Sequence, residues 1–532
     1  MNIKKYLMLG GVALSLGLTT VSCVGDLDLE PIDPSQTYAD PNDPTFVANA
    51  LAQCYANLIA PSTSGPGDSN ISAPDAGMST YNRLLFTVEE FSADEAFWIW
   101  KDNGLDEIIT NTTSAGNLQI EMAYSRIYQH ITVCNSFMYS TEDVNVEGIE
   151  RMRAEARTLR AFSYFNVCNI WGNSPFSIDA PDGQPLPQWS RKEIYNWLVQ
   201  ELSDIVSSGV LNSDAPYGRI GQDAAEALLA RVYLNAEVFC GGSVADSWKN
   251  AYTHCTNIIN RNKGKGYNGS GLASHYLALF AKNNRNYAPG GTNADGQEIL
   301  WTIPCDADHL QSYGGSTFLL AGSLSAGDFG CLANWSCMTA REQLANRFTS
   351  EPYDVRWSQW ITSGRTPVNQ DFSEYGTAGY QAIKWVNWDM NADGSYDMTG
   401  DATNFTSCDV PLIRLADIYL MRAECYFHGQ GSQADALADV NLVRGRAGVT
   451  SWNITQLTPD NLLDERSREL YFECTRRTDL IRFNRYVGAN QMLWSWKGNA
   501  AEGTTIQSWR TLMPIPTNIL AAQPELVQNE GY

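Results

Sequence analysis

Residues 415–446, LADIYLMRAECYFHGQGSQADALADVNLVRGR, carry two helical patterns back to back. In the first, Leu415, Ile418, Tyr419, Ala423 and Tyr426 recur at i, i+3, i+4, i+8 and i+11, which places them on one apolar face of a 3.6-residue helix. Gly429-Gln430-Gly431 interrupts the pattern, because glycine readily takes the backbone conformations that end a helix. Gln433 to Arg446 then resumes it. With its turn the unit is about 34 residues long, the period of tetratricopeptide-type helical hairpins, although it lacks their full consensus. The same grammar extends outward. Upstream, Ala225, Leu228, Leu229, Val232, Tyr233 and Ala236 form another one-sided face, and Glu121 to Ile170 runs without an internal proline, as consecutive helices require. Downstream, Thr458-Pro459-Asp460 reads as a helix start: a hydroxyl cap, proline in the first turn, and a carboxylate at the positive dipole end, with Leu463, Leu470 and Tyr471 continuing it.

Between the helical blocks lie Gly-, Ser- and Asn-rich stretches, Pro61–Gly77, Asn262–Gly271 and Tyr287–Gly296, which read as loops. The expected fold is mainly α: a tetratricopeptide-like repeat scaffold over approximately 121–262 and 410–486, with a loop-rich ligand-binding insert over approximately 264–409. No linker divides residues 23–532 into separate domains. Loops on a rigid frame are the usual setting for binding surfaces.

The chain has 532 residues, 44% of them hydrophobic, with 36 Lys+Arg against 59 Asp+Glu and a formal charge of −23. Such a surface repels polyanions, which argues against DNA or RNA as a partner. The N-terminus reads as an export signal over residues 1–22: Lys4 and Lys5, an apolar stretch from Tyr6 to Leu18 too short to span a bilayer, then Thr20-Val21-Ser22 before Cys23. Cys23 after small residues suits lipid attachment, and two or more acyl chains hold a protein firmly on a membrane. Asp26, Asp28 and Glu30 follow as an acidic tether. The eleven later cysteines contain no C-x-x-C pair, so buried thiols are expected, with Cys331 and Cys337 close enough to bridge.

Motifs for catalysis are sparse. The five histidines never fall within four residues of one another, so no H-E-x-x-H zinc helix exists, and neither G-x-S-x-G nor a Walker phosphate loop is present. Gly264-Lys265-Gly266-Tyr267-Asn268-Gly269 matches G-x-G-x-x-G but follows a helical stretch and precedes no helix, so it reads as a turn. Asp389, Asn391, Asp393, Gly394 and Asp397 resemble the front of a calcium loop, but position twelve is Gly400 rather than Glu, and a plain Asp/Asn/Gly turn accounts for them equally. Carboxylate neighbours Glu89-Glu90 and Asp94-Glu95 have the residue types of a glycosidase pair, though 59 acidic residues make such neighbours by chance.

The strongest constellation is aromatic. Phe97-Trp98-Ile99-Trp100 runs straight into Lys101-Asp102-Asn103-Gly104, and Tyr313-Gly314-Gly315 and Asn334-Trp335-Ser336 lie in loop-rich sequence. Pyranose rings offer polarised C–H faces to aromatic platforms and hydroxyl edges to Arg, Asn or Asp. Each stacked ring adds on the order of 1 kcal/mol, so three rings with a few hydrogen bonds support roughly millimolar to micromolar affinity. Composition alone leaves two readings open, core rings and sugar platforms.

Several of these blocks, in order, resemble the SusD/RagB family of outer-membrane nutrient-binding lipoproteins: Ser92-Ala93-Asp94-Glu95 before Trp98-Ile99-Trp100, Tyr313-Gly314-Gly315-Ser316-Thr317, Asn334-Trp335-Ser336-Cys337, Ile383-Lys384-Trp385, Leu412-Ile413-Arg414, Arg476-Arg477-Thr478-Asp479, Trp494-Ser495-Trp496-Lys497 and the C-terminal Gln528-Asn529-Glu530-Gly531-Tyr532. The resemblance implies a non-enzymatic, surface-exposed lipoprotein of the outer membrane that captures α-glucan for a SusC-like TonB-dependent transporter. It assigns an arc of rings to Trp100, Tyr313 and Trp335, and hydroxyl contacts to Arg83 and Asn103. An arc suits a coiled glucan such as starch or a maltooligosaccharide better than a flat one. No cofactor or metal is implied. The stretch between Arg347 and Lys384 is shorter than in the family pattern, and Lys101 and Asp102 also differ, which leaves other α-glucans such as pullulan or glycogen open.

Overall fold

The computed structural model describes residues 42–532 apart from 181, 213, 293–294, 325–328 and 369–376. The expected export signal, Cys23 and the acidic tether lie outside the described residues.

In chain order the elements that matter for the site are α1 (Pro44–Ala56), the short buried α2 (Tyr81–Phe86), β1 (Ala96–Trp98), α3 (Leu118–Ser140), α4 (Ile149–Ile170), α5 (Arg191–Ser208), α6 (Gln222–Leu234), α7 (Ser247–Asn262), β2 (Ile299–Ile303), α8 (Gly315–Ser323), β3 (Met338–Ala340), α9 (Glu342–Thr349), β4 (Val410–Arg414), α10 (Leu415–Tyr426), α11 (Gln433–Arg446), α12 (Pro459–Leu470) and α13 (Arg476–Arg482). The helix ends are where local chemistry puts them. Asn117 caps α3 by accepting from the Ile120 N–H, Ser190 and Glu193 cap α5 reciprocally, and Ser432 caps α11. Thr458 caps α12, whose first residue is Pro459.

Each long helix packs on the next: α3 on α4, α4 on α5, α5 on α6, α6 on α7, then α7 on α10, and α10 on both α11 and α12. This is the nearest-neighbour stacking of a helical-repeat solenoid. The chain leaves the stack after α7 and rejoins it at α10, so the intervening segment is looped out while its two flanking helices stay packed. The loop expected at that exit follows the last residue of α7, Asn262, and contains only a short 3-10 turn at Tyr267–Gly269. Gly264–Gly269 closes as a turn, with the Tyr267 N–H donating to the Leu272 carbonyl at 2.7 Å and no α-helix beginning there.

Two antiparallel strand pairs fasten the insert. β2 pairs with β4, from Ile299 opposite Arg414 to Ile303 opposite Val410, and so joins the insert to the start of α10. β1 pairs with β3, with Ala96 opposite Ala340 and Trp98 opposite Met338, which ties the insert to the N-terminal part of the chain.

Cys331 and Cys337 do not form the expected bridge: both are free thiols, the Cys331 Sγ donating to the Ala333 carbonyl at 3.4 Å and the Cys337 Sγ to the Gly322 carbonyl at 3.7 Å. Cys337 continues the β1–β3 ladder, its carbonyl accepting from the Ile99 N–H, and its thiol meets Gly322 of α8. Asp389–Asp397 folds as a two-strand hairpin, in which Asp393 accepts from the Ser395 N–H and hydroxyl and Asp397 from those of Thr399. Those carboxylates are engaged in turn hydrogen bonds, and among the described residues no three His, Cys, Asp or Glu side chains gather as a metal site.

Candidate functional site

α8 organises the aromatic site. At its N-terminal end Gly315 takes a left-handed φ of +53°, and a side chain there would run into Ile59 and Cys305. Glycine is therefore required to turn the chain out of Tyr313 and into the helix. At its other end the loop carrying Trp335 is clamped by three main-chain bonds, Trp335 N–H to the Ala321 carbonyl (2.7 Å), Ser336 N–H to Leu324 (3.0 Å) and Cys337 N–H to Gly322 (3.0 Å). These satisfy carbonyls at the helix C-terminus that would otherwise lack donors. The same loop runs on into β3, whose partner β1 delivers Trp98. The pairing continues one residue further, Ile99 N–H to the Cys337 carbonyl at 2.9 Å, and this fixes Trp100 beside Trp335.

The three rings predicted from the sequence converge. Trp100 and Trp335 have centroids 6.2 Å apart and planes inclined by 37°; Trp335 and Tyr313 are 6.2 Å apart and inclined by 46°. Neither pair is parallel, so Trp100, Trp335 and Tyr313 follow one another as a bent row. Trp100 and Trp335 are half-buried and Tyr313 is 38% exposed, so the row lies at the surface. Beneath it the packing is tight. Trp98 meets Trp100 edge-on at 5.6 Å, and Gly322 of α8 lies so close under Trp98 that an added Cβ would stand 3.2 Å from the indole.

Arg83 of α2 sits below the row rather than on it. It is only 8% exposed, its guanidinium lies 4.8 Å from the Phe318 ring, 5.5 Å from Trp98 and 5.9 Å from Trp335, and it pairs with Asp102 at 3.7 Å. Burial draws the Arg83 pKa below its ordinary value while Asp102 opposes the shift, and burial likewise raises Asp102 against the pull of Arg83. Asn103 is exposed, its carbonyl held by the Gln119 amide at 2.9 Å, and its side chain makes no hydrogen bond among the described residues. It borders a cavity of about 520 Å³ next to Trp100, whose walls include Asp106, Thr110 and Asn499.

Two contributors were not legible in the sequence. Phe405 packs against Tyr313 with centroids 4.9 Å apart and planes inclined by 46°. The Arg83–Asp102 pair ties the row's underside to the turn after Trp100. Phe405 lies in the loop-rich insert far from Tyr313 in sequence, and only the folded backbone brings them together.

The acidic neighbours considered as a glycosidase pair belong to the interior. Glu89 accepts from Asn169 and Thr478, and Asp94 is held by Arg347 and Arg476. Glu90, fully buried and beside Glu95, is raised well above the carboxylate range, burial first and the Glu95 charge second. These groups are spent on structure, away from the rings.

A helical-repeat scaffold bears a bent row of rings with hydrogen-bonding groups at its edge, while Glu89, Glu90 and Asp94 are held inside. Comparison with known proteins gives the class. Residues 238–532 match the family described as "SusD family", and residues 69–234 match the one described as "Starch-binding associating with outer membrane". The starch-binding protein SusD of Bacteroides thetaiotaomicron is 31% identical over 98% of this chain and 97% of its own. SusD-like protein P25 of Formosa agariphila is 23% identical over 89% of this chain and 94% of its own. Among solved structures, surface glycan-binding protein A from Bacteroides thetaiotaomicron, in complex with laminarihexaose, superposes with a TM-score of 0.68 at 19% identity, covering 91% of this chain and 99% of that one. The chain belongs to the SusD family, whose members bind glycans and are not enzymes, and the description matched by residues 69–234 names association with the outer membrane. Among the described residues no helix is long and apolar enough to cross a membrane.

Proposed function

We propose that this protein captures α-1,4-glucan, as starch or maltooligosaccharide, on the shelf formed by Trp100, Trp335 and Tyr313. Asn103 and Arg83 supply hydroxyl contacts, Asn103 directly from the rim and Arg83 from beneath, through the guanidinium edge that its stacking leaves free. On this reading Cys23 carries a lipid anchor, the protein sits on the outer face of the outer membrane, and the captured glycan passes to a SusC-like TonB-dependent transporter. The observation that carries it is the bend of the row. Successive tilts of 37° and 46° suit a chain that curls, because each sugar face must turn relative to the last to lie flat on its ring. A relative at 31% identity that bears the name starch-binding supports the same choice.

Calorimetry with maltoheptaose tests it. Replacing Trp100, Tyr313 and Trp335 together by alanine removes three stacking contacts of about 1 kcal/mol each, so affinity falls by about a hundredfold or more. Unchanged binding sinks the assignment. A second glucan remains a specific alternative, since a protein of the same fold is described in complex with laminarihexaose. Retardation by laminarin but not by amylopectin in affinity gels would select it.

A further inference from the structure

At the Tyr313 end of the row a second cavity, of about 480 Å³, opens between α1, the loop after it, α3 and the segment leading to Tyr313. That volume lies within the range of about 300–1,000 Å³ typical of small-ligand sites. Its polar lining is dominated by side-chain amides, among them Gln53, Asn57, Asn70, Gln129 and Gln311.

The amides are oriented, not merely collected. Arg126 of α3 is fully buried beside the cavity and has no carboxylate partner among the described residues; it donates to the Ser79 and Pro61 carbonyls, to Asn70 Oδ1 at 2.6 Å and to Gln129 Oε1 at 2.7 Å. Gln129 Oε1 also accepts from Asn57 Nδ2 at 3.0 Å. An arginine has only donors, so it decides which end of each amide turns toward it. The oxygens of Asn70 and Gln129 point at Arg126, and their NH₂ groups are left without a protein partner among the described residues. Gln311 is arranged the other way: its Nε2 donates to the Ala307 carbonyl at 2.9 Å, which frees its oxygen. The cavity therefore presents fixed donors on one wall and an acceptor on another, a pattern that matches hydroxyl groups, which both give and accept.

None of the three rings lines the cavity, but one segment joins the two. Gln311 stands two residues before Tyr313, and Ser312 between them donates to the Ile59 carbonyl at 2.7 Å and accepts from the Gly314 N–H at 2.9 Å. Asn57 stands two residues before Ile59. The segment that sets the outer ring is thus bolted to the segment that lines the cavity.

We infer that the glycan track continues beyond Tyr313 into this amide-lined cavity, which takes one or more further hexopyranose units and makes the protein favour longer chains. The inference rests on the reading of the ring row as the glucan site and adds a subsite to it. With the cavity occupied, the donors of Asn70 and Gln129 and the oxygen of Gln311 pair with sugar hydroxyls, while the rings hold the preceding units.

The test compares maltotriose, short enough to be satisfied by the rings, with maltoheptaose, by calorimetry on the wild type, Ala56→Phe and Gln311→Ala. Ala56 is half-exposed on α1 and lines the cavity, so phenylalanine there fills it from the solvent side. Gln311→Ala removes the acceptor without adding bulk, and thermal unfolding of both variants checks that the fold is kept. The expected result is a maltoheptaose affinity about fivefold lower in each variant, the worth of one or two hydrogen bonds, with maltotriose unchanged. The inference is overturned if maltoheptaose binds both variants as it binds the wild type, or binds the wild type no tighter than maltotriose. In either case the ring reading stands or falls separately, on the loss of maltotriose binding when the rings are replaced. A wild type that binds neither sugar sinks both.

Discussion

Two regions of this molecule combine cations with aromatic rings, and they do opposite things. Where α10, α11 and α12 meet the insert, Arg414 contacts Glu298, Glu469 and Glu473, Arg446 contacts Glu298 and Glu469, and Arg356 contacts Asp354, Glu465 and Glu469. Lys384 pairs with Glu473 at 2.6 Å over the Tyr471 ring at 4.1 Å. Every one of these charges is sealed from water. In the ring row, Arg83 lies under Trp98, Phe318 and Trp335, but the row's outer faces are open. The lesson is that residue type does not separate scaffold from site; access to solvent does. In the sealed lattice each charge is there to be matched, since an unmatched buried ion is far more costly than a matched pair is favourable. In the open row the rings are held rigidly from below and their outer faces are left uncovered, the place the proposed function gives to a sugar face.

The sharpest way to break that contrast is to unbalance the lattice. Glu469 receives Arg356, Arg414 and Arg446, so Glu469→Ala takes one carboxylate from each of three buried guanidinium groups and leaves them to Asp354 and Glu465, to Glu298 and Glu473, and to Glu298 alone. The expected loss is about 3–5 kcal/mol in urea-induced unfolding, with glycan affinity of the remaining folded protein unaltered. If stability hardly changes, the lattice is wetter than its burial indicates and the two regions differ less than argued. Lys384 lies in the same lattice: burial, with Arg414 nearby, pulls its pKa down to about 8 against the pull of Glu473.

Proton linkage sharpens the comparison from the interior side. His130 is fully buried between the Cys54 carbonyl (Nε2, 2.9 Å) and the Ser163 hydroxyl (Nδ1, 2.7 Å). A carbonyl only accepts, so Nε2 carries a proton, and a hydroxyl can donate to Nδ1 as a neutral ring requires. Burial depresses its pKa to about 4, against 6.5 for the free side chain. The folded state therefore binds this proton less readily than the unfolded one, and the stability due to the neutral ring, full above about pH 6.5, is lost as pH falls toward 4. At pH 5 the loss amounts to about 2 kcal/mol. Asp409, pushed up to about 6 by burial, acts in the opposite sense, which is why the measurement is a difference: the stability gap between wild type and His130→Gln, read by urea unfolding, shrinks by about 2 kcal/mol from pH 7.5 to pH 5. A constant gap means the imidazole is already reached by water.

These regions were unequally visible in the sequence. Helices α10, α11 and α12 could be read almost to the residue, because apolar spacing, the Gly429–Gly431 break and the Thr458-Pro459 start are local signals that need no partner. The rings Trp100, Tyr313 and Trp335 could be named from family blocks, yet nothing local says that they meet. Their convergence depends on β1 pairing with β3 and on main-chain clamps from the Trp335 loop to α8, contacts between segments hundreds of residues apart in part. Lys384 and Arg414 stood in recognisable blocks with no hint that they are buried, since a charged letter carries no information about the acids that will surround it. Cys331 and Cys337 mislead for the same reason: nearness in sequence is not nearness of sulfur atoms.

The smallest effect probes the open edge. Asn103 is exposed, its carbonyl is held by Gln119, and its side-chain amide has no partner among the described residues, so on the proposed reading its role is toward the ligand and not the fold. Asn103→Ala is expected to leave thermal unfolding where it is and to weaken maltoheptaose about fivefold, the worth of one hydrogen bond between uncharged groups. The same truncation inside the lattice cannot show this pattern, because there no side chain can be removed without leaving a partner unmet. A fivefold loss at constant stability places Asn103 on the ligand side of the divide, and a fall in stability without a change in affinity moves it to the scaffold, where the turn after Trp100 would then owe its shape to a side chain that has no visible partner.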